Sequence, residues 1–126
     1  MPKLTLTRAP FALLATVGLA LALACAGDSS GIGPQGGVVG GRCSKDGDCA
    51  ERCARGNDFP GGYCTVTCRR DADCPSGTLC IEKNDGICLV PCSGQVSCAG
   101  FGPEYRCDNL GRQGMKDVDA DVCVGR

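Results

Sequence analysis

Twelve cysteines crowded into residues 43–126 constrain this chain more than any other feature. They form three sets of four. The first is Cys43, Cys49, Cys53 and Cys64; the second is Cys68, Cys74, Cys80 and Cys88; the third is Cys92, Cys98, Cys107 and Cys123. The leading cysteines of successive sets are 25 and 24 residues apart, and five residues separate the first two cysteines of every set. Three residues, 65–67 and then 89–91, join each set to the next. Other residue types repeat in step: Lys45-Asp46-Gly47-Asp48-Cys49 answers Arg70-Asp71-Ala72-Asp73-Cys74. A fixed period with matching detail marks tandem copies of one structural unit.

The junctions between sets read as strands. Tyr63-Cys64-Thr65-Val66-Thr67-Cys68 and Ile87-Cys88-Leu89-Val90-Pro91-Cys92 are rich in β-branched and apolar residues, and Gly61-Gly62 and Asn84-Asp85-Gly86 stand ahead of them as turns. Cysteines four apart on an extended strand are roughly 13 Å from each other, beyond the ~7 Å Cα separation that a disulfide spans. Each strand therefore offers its two sulfurs to different partners. Four cysteines allow three pairings; loop length favours first-to-third and second-to-fourth. The expected fold is small and disulfide-rich: three tandem four-cysteine β-hairpin units (43–64, 68–88, 92–123) in an elongated row, with little helix, after an N-terminal signal helix. In the first unit Asp48, Glu51 and Arg52 to Gly56 read as one capped helical turn. In the second, Cys74-Pro75-Ser76-Gly77 reads as a reverse turn.

The N-terminus has the parts of an export signal over residues 1–24. Lys3 and Arg8 supply positive charge, and 11–24 is a 14-residue uncharged apolar run. That length suits a signal peptide and is short for a helix crossing ~30 Å of hydrocarbon. Residues 26–42 hold seven glycines in seventeen positions and no apolar period, the composition of a flexible tether.

Leu21-Ala22-Leu23-Ala24-Cys25 resembles the lipobox of bacterial lipoproteins, although Ala22 stands where that family prefers leucine. The resemblance implies cleavage before Cys25, lipidation of its thiol, and a Gly-rich tether over 25–42 holding the cysteine-rich domain at the membrane. Ala26 after the cysteine, in place of aspartate, implies sorting to the outer membrane or cell surface. The alternative is ordinary cleavage at the small residues Ala24 and Ala26, giving a secreted protein without an anchor. The repeat pattern of 43–126 is similar to the cysteine-rich repeats of secreted bacterial lipoproteins, and distantly to EGF- and Dickkopf-type modules. It implies an interaction or envelope-structural role with a protein or cell-surface ligand.

Charge and composition narrow the function further. A chain cut before Cys25 has 11 basic and 14 acidic residues, a formal charge of −3. That is no footprint for nucleic acid. Histidine is absent, which removes the commonest general base and the Ser-His and Cys-His pairs, so no enzyme activity and no cofactor are expected. Zinc is disfavoured by the wide cysteine spacing and by export to an oxidising compartment. Asp117-Val118-Asp119-Ala120-Asp121 echoes the start of a calcium loop, but Val122 stands where an EF-hand requires glycine; a calcium-assisted binding module of another kind stays open. So does a protease inhibitor, with Ala54 to Phe59 and Arg69-Arg70 as basic loops. Asp46, Asp48, Asp71 and Asp73 read as turn residues whose carboxylates accept nearby backbone N–H groups.

The bridges are needed because the interior is small. Residues 43–126 contain no tryptophan and only sixteen large apolar side chains. A chain of this size with so little to bury depends on crosslinks that restrict its unfolded state. Excess dithiothreitol is expected to abolish the folded circular dichroism signal in one cooperative step; an unchanged spectrum after full reduction would refute this.

Overall fold

Each four-cysteine set folds into an antiparallel hairpin preceded by a 3-10 segment, three residues long in the first two units and seven in the third. In the computed structural model, which describes residues 31–126, the hairpins are β1 (Arg52–Ala54) with β2 (Tyr63–Thr65), β3 (Leu79–Ile81) with β4 (Ile87–Leu89), and β5 (Tyr105–Gly111) with β6 (Asp119–Gly125). The turns are Asp46–Asp48, Asp71–Asp73 and Gln95–Phe101. No α-helix occurs among the described residues. The signal helix expected over 1–24, Cys25 and residues 26–30 lie outside the described residues.

The third and fourth cysteines of each unit face each other across the hairpin, as Cys53↔Cys64, Cys80↔Cys88 and Cys107↔Cys123. They are not bonded to each other. Their sulfurs reach back to the segment carrying the 3-10 turn: Cys43–Cys53 and Cys49–Cys64, Cys68–Cys80 and Cys74–Cys88, Cys92–Cys107 and Cys98–Cys123. First pairs with third and second with fourth every time, so two bridges clamp each turn segment onto its hairpin.

Aspartates set this geometry locally. Asp46 Oδ1 accepts the Cys53 N–H at 2.9 Å, and Asp71 Oδ1 accepts the Cys80 N–H at 2.9 Å. Asp48 Oδ2 accepts the N–H groups of Ser44 and Lys45, and Asp73 Oδ2 that of Arg69. The third unit uses a hydroxyl at the same place, Ser97 Oγ accepting the Ser93 N–H. These contacts also explain a correction to the sequence reading. Residues 52–54 are a strand rather than part of a helical turn, because the Cys43 bridge and the Asp46 carboxylate hold Cys53 extended beside Cys64.

The outer edge of each hairpin is covered by the chain that leads into that unit. The N–H of the fourth cysteine donates to the residue two places before the first cysteine: Cys64 to Gly41 O, Cys88 to Val66 O, Cys123 to Val90 O, at 2.8, 3.0 and 3.0 Å. Thus each three-residue link is a short third strand for the unit it enters, and it satisfies edge groups that would otherwise stay open to stray pairing. Gly40-Gly41-Arg42 does for the first unit what 65–67 and 89–91 do for the others.

That role corrects the flexible-tether reading over residues 31–42. Ile32 bridges Val39, Val39 is fully buried, and the Gly40 N–H donates to Cys64 O at 2.8 Å. The glycines allow close packing here: a Cβ on Gly40 would lie 2.4 Å from Gly33 O.

The units close on one another rather than extending in a row. Tyr63 of the first unit lies at the centre, with ring centroids 5.6 Å from Phe59, 5.7 Å from Phe101 and 6.2 Å from Tyr105. Phe101 and Tyr105 belong to the third unit. The second adds Ile81, Ile87 and Leu89 to the same continuous core. Polar bonds follow the same contacts. Thr65 Oγ1 donates to Cys88 O at 2.7 Å, Val90 N–H donates to Tyr63 Oη at 3.2 Å, and Tyr105 Oη donates to Pro60 O at 3.1 Å. The row gives way because the four aromatic rings present in 43–126 bury more surface by meeting than by lying along separate hairpins.

Gly62 and Gly86 occupy matching turns at φ 77° and 101° respectively. A Cβ would meet Cys43 O at 1.9 Å in the first case and Cys68 O at 2.1 Å in the second. Both the backbone conformation and the space exclude a side chain. Gly86→Ala is expected to destabilise the oxidised protein by at least about 2 kcal/mol. Guanidinium unfolding measures this, with Gly77→Ala, at a turn with open space around it, as the milder comparison; equal stability of Gly86→Ala and the parent would refute it.

Candidate functional surface

The twelve bridged cysteines are structural in their placement. Three sulfurs in each unit lie within 4.8 Å of one another: Cys43, Cys49 and Cys64; Cys68, Cys74 and Cys88; Cys92, Cys98 and Cys123. Such proximity would suit a metal only if the sulfurs were thiolates, the ligating form. Here every one is half of a disulfide, and the proximity follows from two bridges stacked side by side on one hairpin.

The acidic run behaves differently from a preformed calcium cage. Asp117 sits in the β5–β6 turn at φ 56°, and Asp119 and Asp121 lie on β6. Asp121 Oδ1 accepts the Asn109 side-chain N–H at 2.8 Å across the hairpin. The residue triads close enough to share an ion, among the described residues, are all cysteines.

The two basic loops are also placed. In 54–59, Arg55, Gly56 and Asn57 are exposed while Ala54 and Phe59 are buried at the ends. Arg55 donates to Ser44 O at 3.1 Å, and Asp58 pairs with Lys83 at 3.0 Å. The loop is therefore short and pinned at both ends. Arg69 and Arg70 flank the second 3-10 turn, where Arg70 lies 3.8 Å from Asp73.

A feature invisible to the sequence lies where the first unit meets the third. A cleft of about 450 Å³ is lined by Gly56, Asn57, Pro60, Pro103, Glu104 and Arg126. The two units on either side of it are joined by Tyr105 Oη on Pro60 O and by the Gly125 N–H on Asp58 O at 2.8 Å. The cleft offers one carboxylate, one guanidinium and two proline rings. These suit recognition of a polar segment; the lining holds no hydroxyl or thiol nucleophile. No local motif encodes it, since its residues come from three separate stretches of chain.

Both tyrosines serve the interior rather than chemistry. Burial drives the Tyr63 phenol well above its ordinary value, and burial likewise pushes Tyr105 up to about 12. Neither ionises near neutrality.

No protein-family model, curated protein or solved structure matches the chain. The architecture itself is a cysteine-rich domain of three hairpin units with two disulfides each. Six bridges place such a domain in an oxidising, extracytoplasmic setting.

Two surface carboxylates give the fold a defined acid response. Backbone N–H groups of Ser44 and then Lys45 hold Asp48 below the usual carboxylate range, and the Arg69 N–H does the same for Asp73. A depressed folded pKa stabilises above the unfolded value near 3.9 and is lost as pH falls through the lower folded value. The guanidinium midpoint is expected to stay level from neutrality to about pH 5 and to fall below about pH 4. Asp48→Asn with Asp73→Asn should make that acid decline shallower, and an unaltered decline would refute the assignment.

Proposed function

We propose that this chain is an exported lipoprotein, anchored through Cys25 and presenting its disulfide-clamped domain outside the cytoplasm in an interaction or envelope-structural role. The observation that carries the reading is the set of six disulfides behind a signal-like N-terminus: the domain needs an oxidising compartment, and residues 1–24 have the pattern that delivers a chain to one. The lipobox-like sequence ending at Cys25 supports an anchor of more than one acyl chain, which holds far more firmly than a single chain. Twelve of the thirteen cysteines bond among themselves, so Cys25 has no disulfide partner within the domain. The cleft between the first and third units supports binding of a polar protein or surface ligand over a catalytic role.

A second reading, a secreted protease inhibitor, draws on the pinned and exposed Arg55-Gly56-Asn57 loop beside that cleft. Pre-ordering of a loop lowers the cost of binding it.

Expression of the full chain in a bacterial host, followed by detergent phase partitioning and intact mass, tests the anchor. The expected product partitions with detergent, carries acyl mass at Cys25 and has no free thiol. Cys25→Ser should lose the acyl mass and the partitioning. A water-soluble wild-type product would refute the anchor, and nanomolar inhibition of a trypsin-like protease lost in Arg55→Ala would favour the second reading.

A further inference from the structure

We infer that the Cys92–Cys107 bridge is a thiol-exchange site: a small monothiol attacks and caps Cys92, Cys107 leaves as thiolate, and the other five bridges stay closed. The inference goes beyond the anchored reading and holds with or without the anchor.

Exposure sets this bridge apart. It joins two half-buried cysteines, whereas each of the other five has at least one buried half. Its counterparts in the first two units, Cys43–Cys53 and Cys68–Cys80, are buried at both ends. Exchange needs an incoming sulfur to reach a bridge sulfur, so access governs which bridge opens first.

Hydrogen bonding sets one of its sulfurs apart. In the first two units a single carboxylate takes both N–H groups that follow the leading cysteine: Ser44 and Lys45 on Asp48, Arg69 and Arg70 on Asp73. The third unit has Ser97 at that place. Its Oγ accepts the Ser93 N–H at 3.3 Å, and the Gly94 N–H donates instead to Cys107 Sγ at 3.5 Å. A donor aimed at sulfur favours the thiolate form, and a thiol with a more stable thiolate is the faster leaving group. A hydroxyl in place of the carboxylate also removes a negative charge that would repel an incoming thiolate. Arg106 and Asp108, on either side of Cys107, pair with each other at 3.2 Å. One departure from the repeat, serine for aspartate, thus prepares the leaving sulfur and clears the approach.

The step balances without a further oxidant. The monothiol's thiolate bonds to Cys92 Sγ, the S–S electron pair departs on Cys107 Sγ, and a mixed disulfide remains on Cys92. A second monothiol reverses the cap by forming its own disulfide and leaves both cysteines reduced. The fold has reason to survive this. Cys98–Cys123 still clamps the unit, β5 and β6 stay paired over seven residues, and the Cys92 N–H still donates to Asp121 O at 2.9 Å. Opening therefore precedes the cooperative loss of structure under excess dithiothreitol and is distinct from it.

The test exposes the oxidised full chain to rising reduced glutathione at pH 8, quenches with N-ethylmaleimide, and maps peptides by mass. The first product is expected to carry glutathione on Cys92 and maleimide on Cys107, with five bridges intact and an unchanged circular dichroism spectrum. Earlier labelling at any other bridge, or all six opening together, would overturn the inference. Glutathione found chiefly on Cys107 would overturn the role given to the Gly94 N–H. Ser97→Asp restores the carboxylate of the other units and should slow capping roughly tenfold. Misfolding would speed capping instead, so slowing cannot come from a damaged fold; an unchanged or faster rate would overturn the part assigned to Ser97.

Discussion

Crossed bridging on a single hairpin is the constraint from which the other features of this fold follow. Because the third and fourth cysteines face each other yet bond elsewhere, each hairpin pulls the preceding turn segment against its face. The first and second cysteines must then lie side by side; in the first two units a three-residue 3-10 turn between them does this, and in the third a longer 3-10 segment carries Cys98 itself. Asp46 and Asp71 supply the acceptors that such turns require, directed at the N–H groups of Cys53 and Cys80. The bridges restrict the unfolded chain through loops of 10 to 25 residues, lengths at which a single crosslink contributes a few kcal/mol. The hydrogen bonds decide which folded arrangement benefits.

The apolar interior is a second layer of organisation, and it acts between units rather than within them. Phe59, Tyr63, Phe101 and Tyr105 meet at one point, while Ile81, Ile87 and Leu89 approach from the second unit. The first two hairpins, with three-residue strands, have little independent stability, and an isolated two-stranded hairpin of any length is marginal in water. Shared burial therefore makes the three copies one cooperative body. Val39 extends that body to the N-terminal segment, which enters the same core.

Much of this was legible in the sequence because cysteine spacing is a strict geometric record. Three hairpin units follow from the period and from the reach of a disulfide, and the aspartates were readable as turn residues. The junction strands were placed correctly at their start but are half the length expected, Tyr63–Thr65 and Ile87–Leu89, because the chain leaves each hairpin at the link to the next unit. The failures have specific causes. Residues 31–42 read as a tether because glycine content signals freedom when no partner is in view. The repeat itself held the missing clue, since Gly40-Gly41-Arg42 precedes Cys43 as 65–67 precede Cys68. Residues 52–56 read as a helical turn because local capping signals carry no knowledge of the bridge at Cys53. The closed arrangement and the cleft beside Arg126 depend on contacts between distant stretches, such as Tyr105 with Pro60, and no local pattern reports them.

The Gly125–Asp58 hydrogen bond has an implication for how such a protein can change over time. In an open solenoid a copied module simply lengthens the stack, since each module touches only its neighbours. Here the last strand returns to the first module, so the seam is occupied. A duplicated fourth copy inserted before that strand would have to pry the seam apart and strip Tyr63 of its third-module neighbours. The contact between the first and third modules thus makes the middle of this fold the costly place to lengthen, because Tyr63 would lose its packing on Phe101 and Tyr105.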